Sequence, residues 1–142
     1  MQPPFHVMVI KALSAQRGAM YPYLAQEGLS PGQPKILSYL TQHDQCRQRD
    51  LADYYNIEPA TVSRLLANME EKGLVRRESR QGDKRSATVA ITDKGKLVSA
   101  RMRIHFDAVE RRELDGFSEA EAALLRDFLR RMYRNLTGEE LE

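Results

Sequence analysis

Between Pro59 and Arg85 lie the residues whose types and spacing suit contact with a phosphate backbone and with base edges. Ala60, Thr61, Ser63, Arg64, Ala67 and Asn68 are small or polar, with one cation near the start of the run. They are interleaved with Val62, Leu65, Leu66 and Met69 at i, i+3, i+4 and i+7, the spacing of one buried helical face. A helix divided this way is slim where it nears a sugar–phosphate wall and carries hydrogen-bonding tips at its N-terminal end. Entry into a major groove requires both properties. Pro59 suits the first helical position, where its missing N–H costs nothing. Ala60, Thr61, Ser63, Arg64 and Asn68 are therefore candidate contacts to double-stranded DNA. Taken alone, the same face would also serve as an ordinary solvated one.

What raises the DNA reading is the set of elements around that helix. Gln48 to Tyr55 is a short helical pattern with Leu51, Ala52 and Tyr55 on one side. Asn56 suits a left-handed turn, Ile57 an anchor into the core, and Gly73 the left-handed position past the second helix. Leu74-Val75 and Ala87 to Ile91 then read as short paired strands. The connector ESRQGDKRS carries a turn signal at Gly82-Asp83, with Arg80, Lys84 and Arg85 around it. A basic tip of this kind suits a narrow minor groove, where negative potential is concentrated. Asp83 suits a local task, bracing the tip so that Arg85 is aimed. The expectation is a mainly α chain with a small β-hairpin wing (α+β), a winged helix-turn-helix. A protein-interaction module without DNA affinity is the rival, and an acidic or neutral wing would have favoured it.

The chain of 142 residues is long enough to bury a real core. Its formal net charge of +2 is unevenly spread, with 11 Lys/Arg against 5 Asp/Glu between Thr61 and Arg103. One basic block suits phosphate contact on one face and protein packing elsewhere. No apolar run approaches the roughly 20 residues of a membrane span, and the N-terminus lacks a signal-peptide pattern, so a cytoplasmic protein is expected. Cys46 is the sole cysteine, which excludes an intrachain disulfide. It reads as part of a polar connector, HDQCRQR, whose cations could lower its pKa, although a loop cysteine without function is the commoner case. No Gly-rich phosphate loop, nucleophile elbow, HExxH or paired CxxC appears, so no enzyme is expected and no cofactor. His6, His43 and His105 show no metal-ligand spacing.

Residues from Phe5 to Gln26 read as a helix with Phe5, Met8, Val9, Ala12, Leu13, Met20 and Leu24 as candidate buried positions, bent or ended near Tyr21 by Pro22. Apolar positions on more than one side suit a dimerisation arm. Ser30-Pro31-Gly32-Gln33 reads as the opening of the next helix, with Ser30 as N-cap. That helix has Ile36, Leu37 and Leu40 on its apolar face and ends at His43-Asp44. Thr92 caps a long helix to about Leu114 that carries Val98, Met102, Ile104 and Val109. Ser118-Glu119-Ala120-Glu121 opens a last helix with a wide stripe from Leu124 to Leu136, suited to packing between subunits or, as the plainer option, within one chain. The parts expected are a dimerisation helix (1–29), a DNA-binding lobe (30–92), and a long helix with a C-terminal dimerisation helix (93–142).

The order LSPGQPKILSYL, RDLADYYNIEPATVSRLLANMEEKGLVRRE, DKR and AITDKG resembles the MarR family of transcriptional regulators. The resemblance extends over nearly the whole chain. It implies a homodimer on a palindromic operator, usually a repressor, released by a small ligand or an oxidant. By motif position it assigns Thr61, Ser63 and Arg64 to the groove, Arg85 to the wing tip and Asp83 to bracing it. It also implies an effector pocket between the dimer helices and the DNA-binding lobe, for which His6, Arg17, Tyr21 and Tyr23 are candidates, with a small aromatic ligand as the expected class. Two positions depart from the pattern: Glu58 stands where a Ser-type cap is frequent, and Pro34 where a larger residue is common. Cys46 is not at the N-terminal position of the family's peroxide sensors.

Overall fold

The computed structural model describes residues 1–43, 45–79 and 87–141. In chain order its elements are α1 (Phe5–Glu27), α2 (Gln33–Gln42), β1 (Cys46–Arg47), α3 (Gln48–Tyr55), α4 (Pro59–Glu71), β2 (Val75–Glu78), β3 (Thr88–Ile91), α5 (Asp93–Glu113) and α6 (Glu119–Thr137). The backbone divides into two compact units, Met1–Asp107 and Ala108–Glu142, with α5 running from the first into the second.

In the first unit the apolar faces read from the sequence converge. Ile36, Leu37, Leu40, Leu51, Val62, Leu66, Met69 and Val89 are all buried. The three strands lie antiparallel in the order β1-β3-β2, with Val75 opposite Ile91 and Cys46 opposite Val89. Strand β1 corrects the expectation of a plain polar connector at HDQCRQR. Two residues are too few to display an alternating pattern, and their pairing follows from β3 alongside them.

Two further expectations are corrected. Helix α1 runs through Pro22 to Glu27 instead of ending near Tyr21. A proline deprives the carbonyl four residues earlier of its donor, here that of Gly18, but both residues are exposed, so water can satisfy it. Within the single chain Met20 and Leu24 of the candidate buried positions on α1 are buried and Val9 is half-buried, while Phe5, Met8, Ala12 and Leu13 are exposed, left open to the partner that a dimerisation arm would meet. Helix α2 begins at Gln33, with Gly32 as its N-cap, not at Pro31 with Ser30 as cap. Only the reverse half of the expected box forms, the Gln33 side chain accepting the Ser30 N–H at 3.0 Å. The helix ends at Gln42 with His43 as C-cap, and Asp44 lies outside the described residues.

Gly28, in the left-handed region at φ 66°, closes α1 as the sequence predicts. Thr92 caps α5: its Oγ1 accepts the Gly95 N–H at 3.0 Å and donates to the Gly73 carbonyl at 2.6 Å. Val98, Met102 and Val109 of α5 are buried, whereas Ile104 is exposed. In the second unit the Ser118 capping box is complete. Its hydroxyl accepts the Glu121 N–H at 3.1 Å and its own N–H donates to the Glu121 carboxylate at 2.8 Å. Leu124, Leu125, Phe128, Leu129 and Leu136 of α6 are exposed on the single chain.

Candidate nucleic-acid interface

Helix α3 and helix α4 are joined by the turn Asn56–Glu58. Asn56 takes φ 50°, the left-handed conformation that a short polar side chain tolerates, and the Ile57 N–H closes the turn on the Ala52 carbonyl at 3.1 Å. Glu58 is the N-cap of α4 but makes no side-chain cap bond, and Pro59 follows it. The buried stripe Val62, Leu66 and Met69 turns Arg64 to the opposite side of the helix, where it is exposed, as is Ala60. Thr61 and Ser63 are half-buried on the flanks. These four occupy the N-terminal half of the helix, the part that meets base edges in a helix-turn-helix.

Asn68 stands apart from them. Its Oδ1 accepts from Gln33 Nε2 at 2.7 Å, and Gln33 is itself buried at the start of α2. The amide therefore braces α4 against α2, a task that the sequence reading, which gave Asn68 to DNA, did not include. The basic wing residues Arg80, Lys84 and Arg85, with Asp83, fall outside the described residues, so the wing is described by its strands alone. On β2, Arg76 and Glu78 are exposed, while Arg77 is turned inward.

In the sequence Arg77 is one more cation of the basic block. Its guanidinium reaches Gln48 Oε1 and the Ser63 carbonyl, each at 3.5 Å, and lies 3.5 Å from Glu70. Its backbone N–H donates to the Glu70 carboxylate at 3.1 Å. Period-2 alternation with buried Val75 was the signal that could have placed it on the inner face.

The four residues named for an effector pocket are not gathered on one side of α1. Arg17 and Tyr21 are one turn apart and exposed, as is His6, whereas Tyr23 projects elsewhere and stacks on His105 at 4.1 Å. Beside that stack, Arg101 grips Glu27 with two bonds of 2.8 and 2.9 Å, and the guanidinium holds the Glu27 carboxyl below its ordinary value. His43 stacks on Tyr39 at 4.0 Å. Among the described residues no three His, Cys, Asp or Glu are grouped so as to hold a metal ion.

The Cys46 thiol is not activated by its cationic neighbours. Burial, followed by the nearby Asp50 carboxylate, pushes the thiol up to about 11, which sets aside the option that Arg47 and Arg49 lower it. A thiol that holds its proton more tightly when folded stabilises the fold below about pH 9, and that contribution is lost as pH rises through about 11. At pH 8 the native protein should accordingly react with iodoacetamide at least about tenfold more slowly than the denaturant-unfolded chain. Equal rates would refute the burial argument.

A recognition-type helix packed on a first helix through a tight turn, and backed by an antiparallel hairpin, makes this a winged helix-turn-helix. The model of the MarR family matches residues 29–87. An HTH-type transcriptional regulator of Bacillus subtilis, YdgJ, is 32% identical over 113 residues, covering 80% of this chain and 69% of that protein. The solved transcriptional regulator PA3341 is 31% identical with a TM-score of 0.80, covering 96% of this chain and all of the other. MepR of S. aureus, solved as a complex with DNA, superposes with a TM-score of 0.84 at 24% identity, over 94% of this chain and 99% of that one. The chain belongs to the MarR family. Among the described residues no helix is long and apolar enough to cross a membrane.

Proposed function

We propose that this protein is a homodimeric transcriptional regulator that binds a palindromic duplex operator, acts as a repressor by occupying it, and is released by a small aromatic effector. The observation that carries the DNA-binding part is the outward face of α4, where Arg64 is exposed with Ala60, Thr61 and Ser63 around it. MepR, a protein of the same fold, is solved as a complex with DNA, which supports the DNA-binding reading. Arg80, Lys84 and Arg85 would add phosphate and minor-groove contacts from the wing, braced by Asp83.

The dimer rests on apolar surface that one chain leaves open. Phe5, Met8, Ile10 and Leu13 of α1 point to more than one side of the helix and are all exposed; so, separately, are Leu124, Phe128, Leu129 and Leu136 of α6. Large apolar side chains exposed in this number along a single helix suit burial against a partner subunit. In this reading residues 1–29 and 93–142 hold the subunits together and residues 30–92 read DNA. The two recognition helices then meet half-sites roughly 34–36 Å apart, one helical turn. Release requires an effector that binds the DNA-incompetent arrangement better than the competent one. Arg17 and Tyr21 are the positions on α1 from which an aromatic acid would be held.

A salt titration against mixed-sequence duplex tests the central claim, since affinity must fall steeply as counterions compete. Arg85→Ala should weaken all duplexes about evenly and lessen the salt slope by about one unit. A protein that sediments as a single subunit at micromolar concentration and ignores duplexes in dilute buffer would overturn the proposal.

A further inference from the structure

We infer that Arg77, a residue that need not touch DNA, sets the specificity of this protein by fixing the pose of the recognition helix. The inference rests on the DNA-binding reading above. From the inner face of β2 the guanidinium spans three acceptors on two helices: Gln48 at the start of α3, and the Ser63 carbonyl and Glu70 carboxylate of α4. Ser63 lies on the turn that also holds Thr61 and Arg64, and Glu70 lies two turns further on. One cation therefore holds α4 at two points along its length, while the Glu70 carboxylate also takes the Arg77 backbone N–H. Gln48 in turn donates its own backbone N–H to the carbonyl of Ala87, the residue before β3, at 3.0 Å, so the start of β3 is tied to the same corner as β2. A planar guanidinium is suited to this, because its five donors leave in fixed directions.

The consequence is selective. Two-point contact with a base edge depends on the angle of the helix, whereas attraction to phosphate depends mainly on charge and distance. The Arg77 side chain is only 18% exposed and engaged inward, so it contributes little direct phosphate contact. Loosening it should blur base reading and leave the electrostatic part of binding in place.

The experiment begins with a preferred duplex selected in vitro by the unaltered protein. Affinity for it and for mixed-sequence duplex is then measured on the same preparation, across salt, for the unaltered protein, Arg77→Met, Arg77→Lys and Gln48→Leu. Because both affinities come from one sample, partial unfolding of a variant cancels from their ratio. Arg77→Met is expected to lower the ratio about tenfold, within the range that one good base contact carries, with a salt slope on mixed duplex changed by less than about one unit. Arg77→Lys keeps the charge near Glu70 but cannot span all three acceptors, so it should recover part of the ratio. Gln48→Leu, which leaves the Glu70 pair intact, should lose less than Arg77→Met. A ratio within about twofold of the unaltered protein's in Arg77→Met would overturn the inference, as would an equal loss on both duplexes, which would signal plain destabilisation or a phosphate contact. An unaltered protein that prefers no duplex would instead overturn the DNA-binding reading and take this inference with it.

Discussion

Gly95→Ala is expected to destabilise the fold by about 3 kcal/mol, the upper part of the range for overpacking. A Cβ at this position would stand 2.2 Å from the Leu74 carbonyl oxygen and 2.7 Å from Ile91 Cγ1. The first obstacle is backbone and cannot rotate away. Leu74 accepts the Thr92 N–H at 3.1 Å, and its own N–H is held by the Met69 carbonyl at 2.9 Å, so moving it strains the join between α4 and β2. Alanine's better helix propensity, worth up to about 1 kcal/mol in an open helix, cannot offset that overlap. Chemical denaturation measures the change; a loss under about 1 kcal/mol would mean that α5 can slide off the hairpin at little cost. The close approach has a purpose in the architecture, since it seats the first turn of α5 directly on the join between α4 and β2.

Arg64→Ala should cost about 1–3 kcal/mol of affinity for the preferred duplex and relax discrimination at one base pair, most simply a guanine. The expectation follows from position: Arg64 stands opposite the buried stripe of α4, exposed, in the half of the helix nearest its N-terminus. On mixed-sequence duplex the loss should be smaller, because only one phosphate-range charge is removed. Affinities for the preferred site and for single-base variants of it decide the matter. If all variants weaken equally, Arg64 touches backbone and not a base.

Elements whose signals are local were legible in the residues. The i, i+3, i+4 and i+7 spacing in α4, the left-handed Asn56, the Thr92 cap and the Ser118 box each depend on a few neighbouring residues, and each appears where its pattern lies. The family pattern rests on the same local features. What local pattern missed were the contacts between distant segments. Strand β1 exists because β3 lies beside it. Asn68 is exposed, yet its oxygen also accepts from Gln33, 35 residues earlier, which no helical wheel shows. Arg77 counts as one more surface cation until the sheet turns it under α4.

The residues by themselves determined the helix-turn-helix, its strand-bearing wing and the exposed position of Arg64, because backbone propensity and apolar periodicity act over one or two turns. Only the tertiary structure decided which polar side chains stay outward and which are spent on holding helices together, and how a half-buried thiol titrates. Hydrogen bonds and desolvation depend on atoms brought close by folding, and chain order does not encode those distances directly.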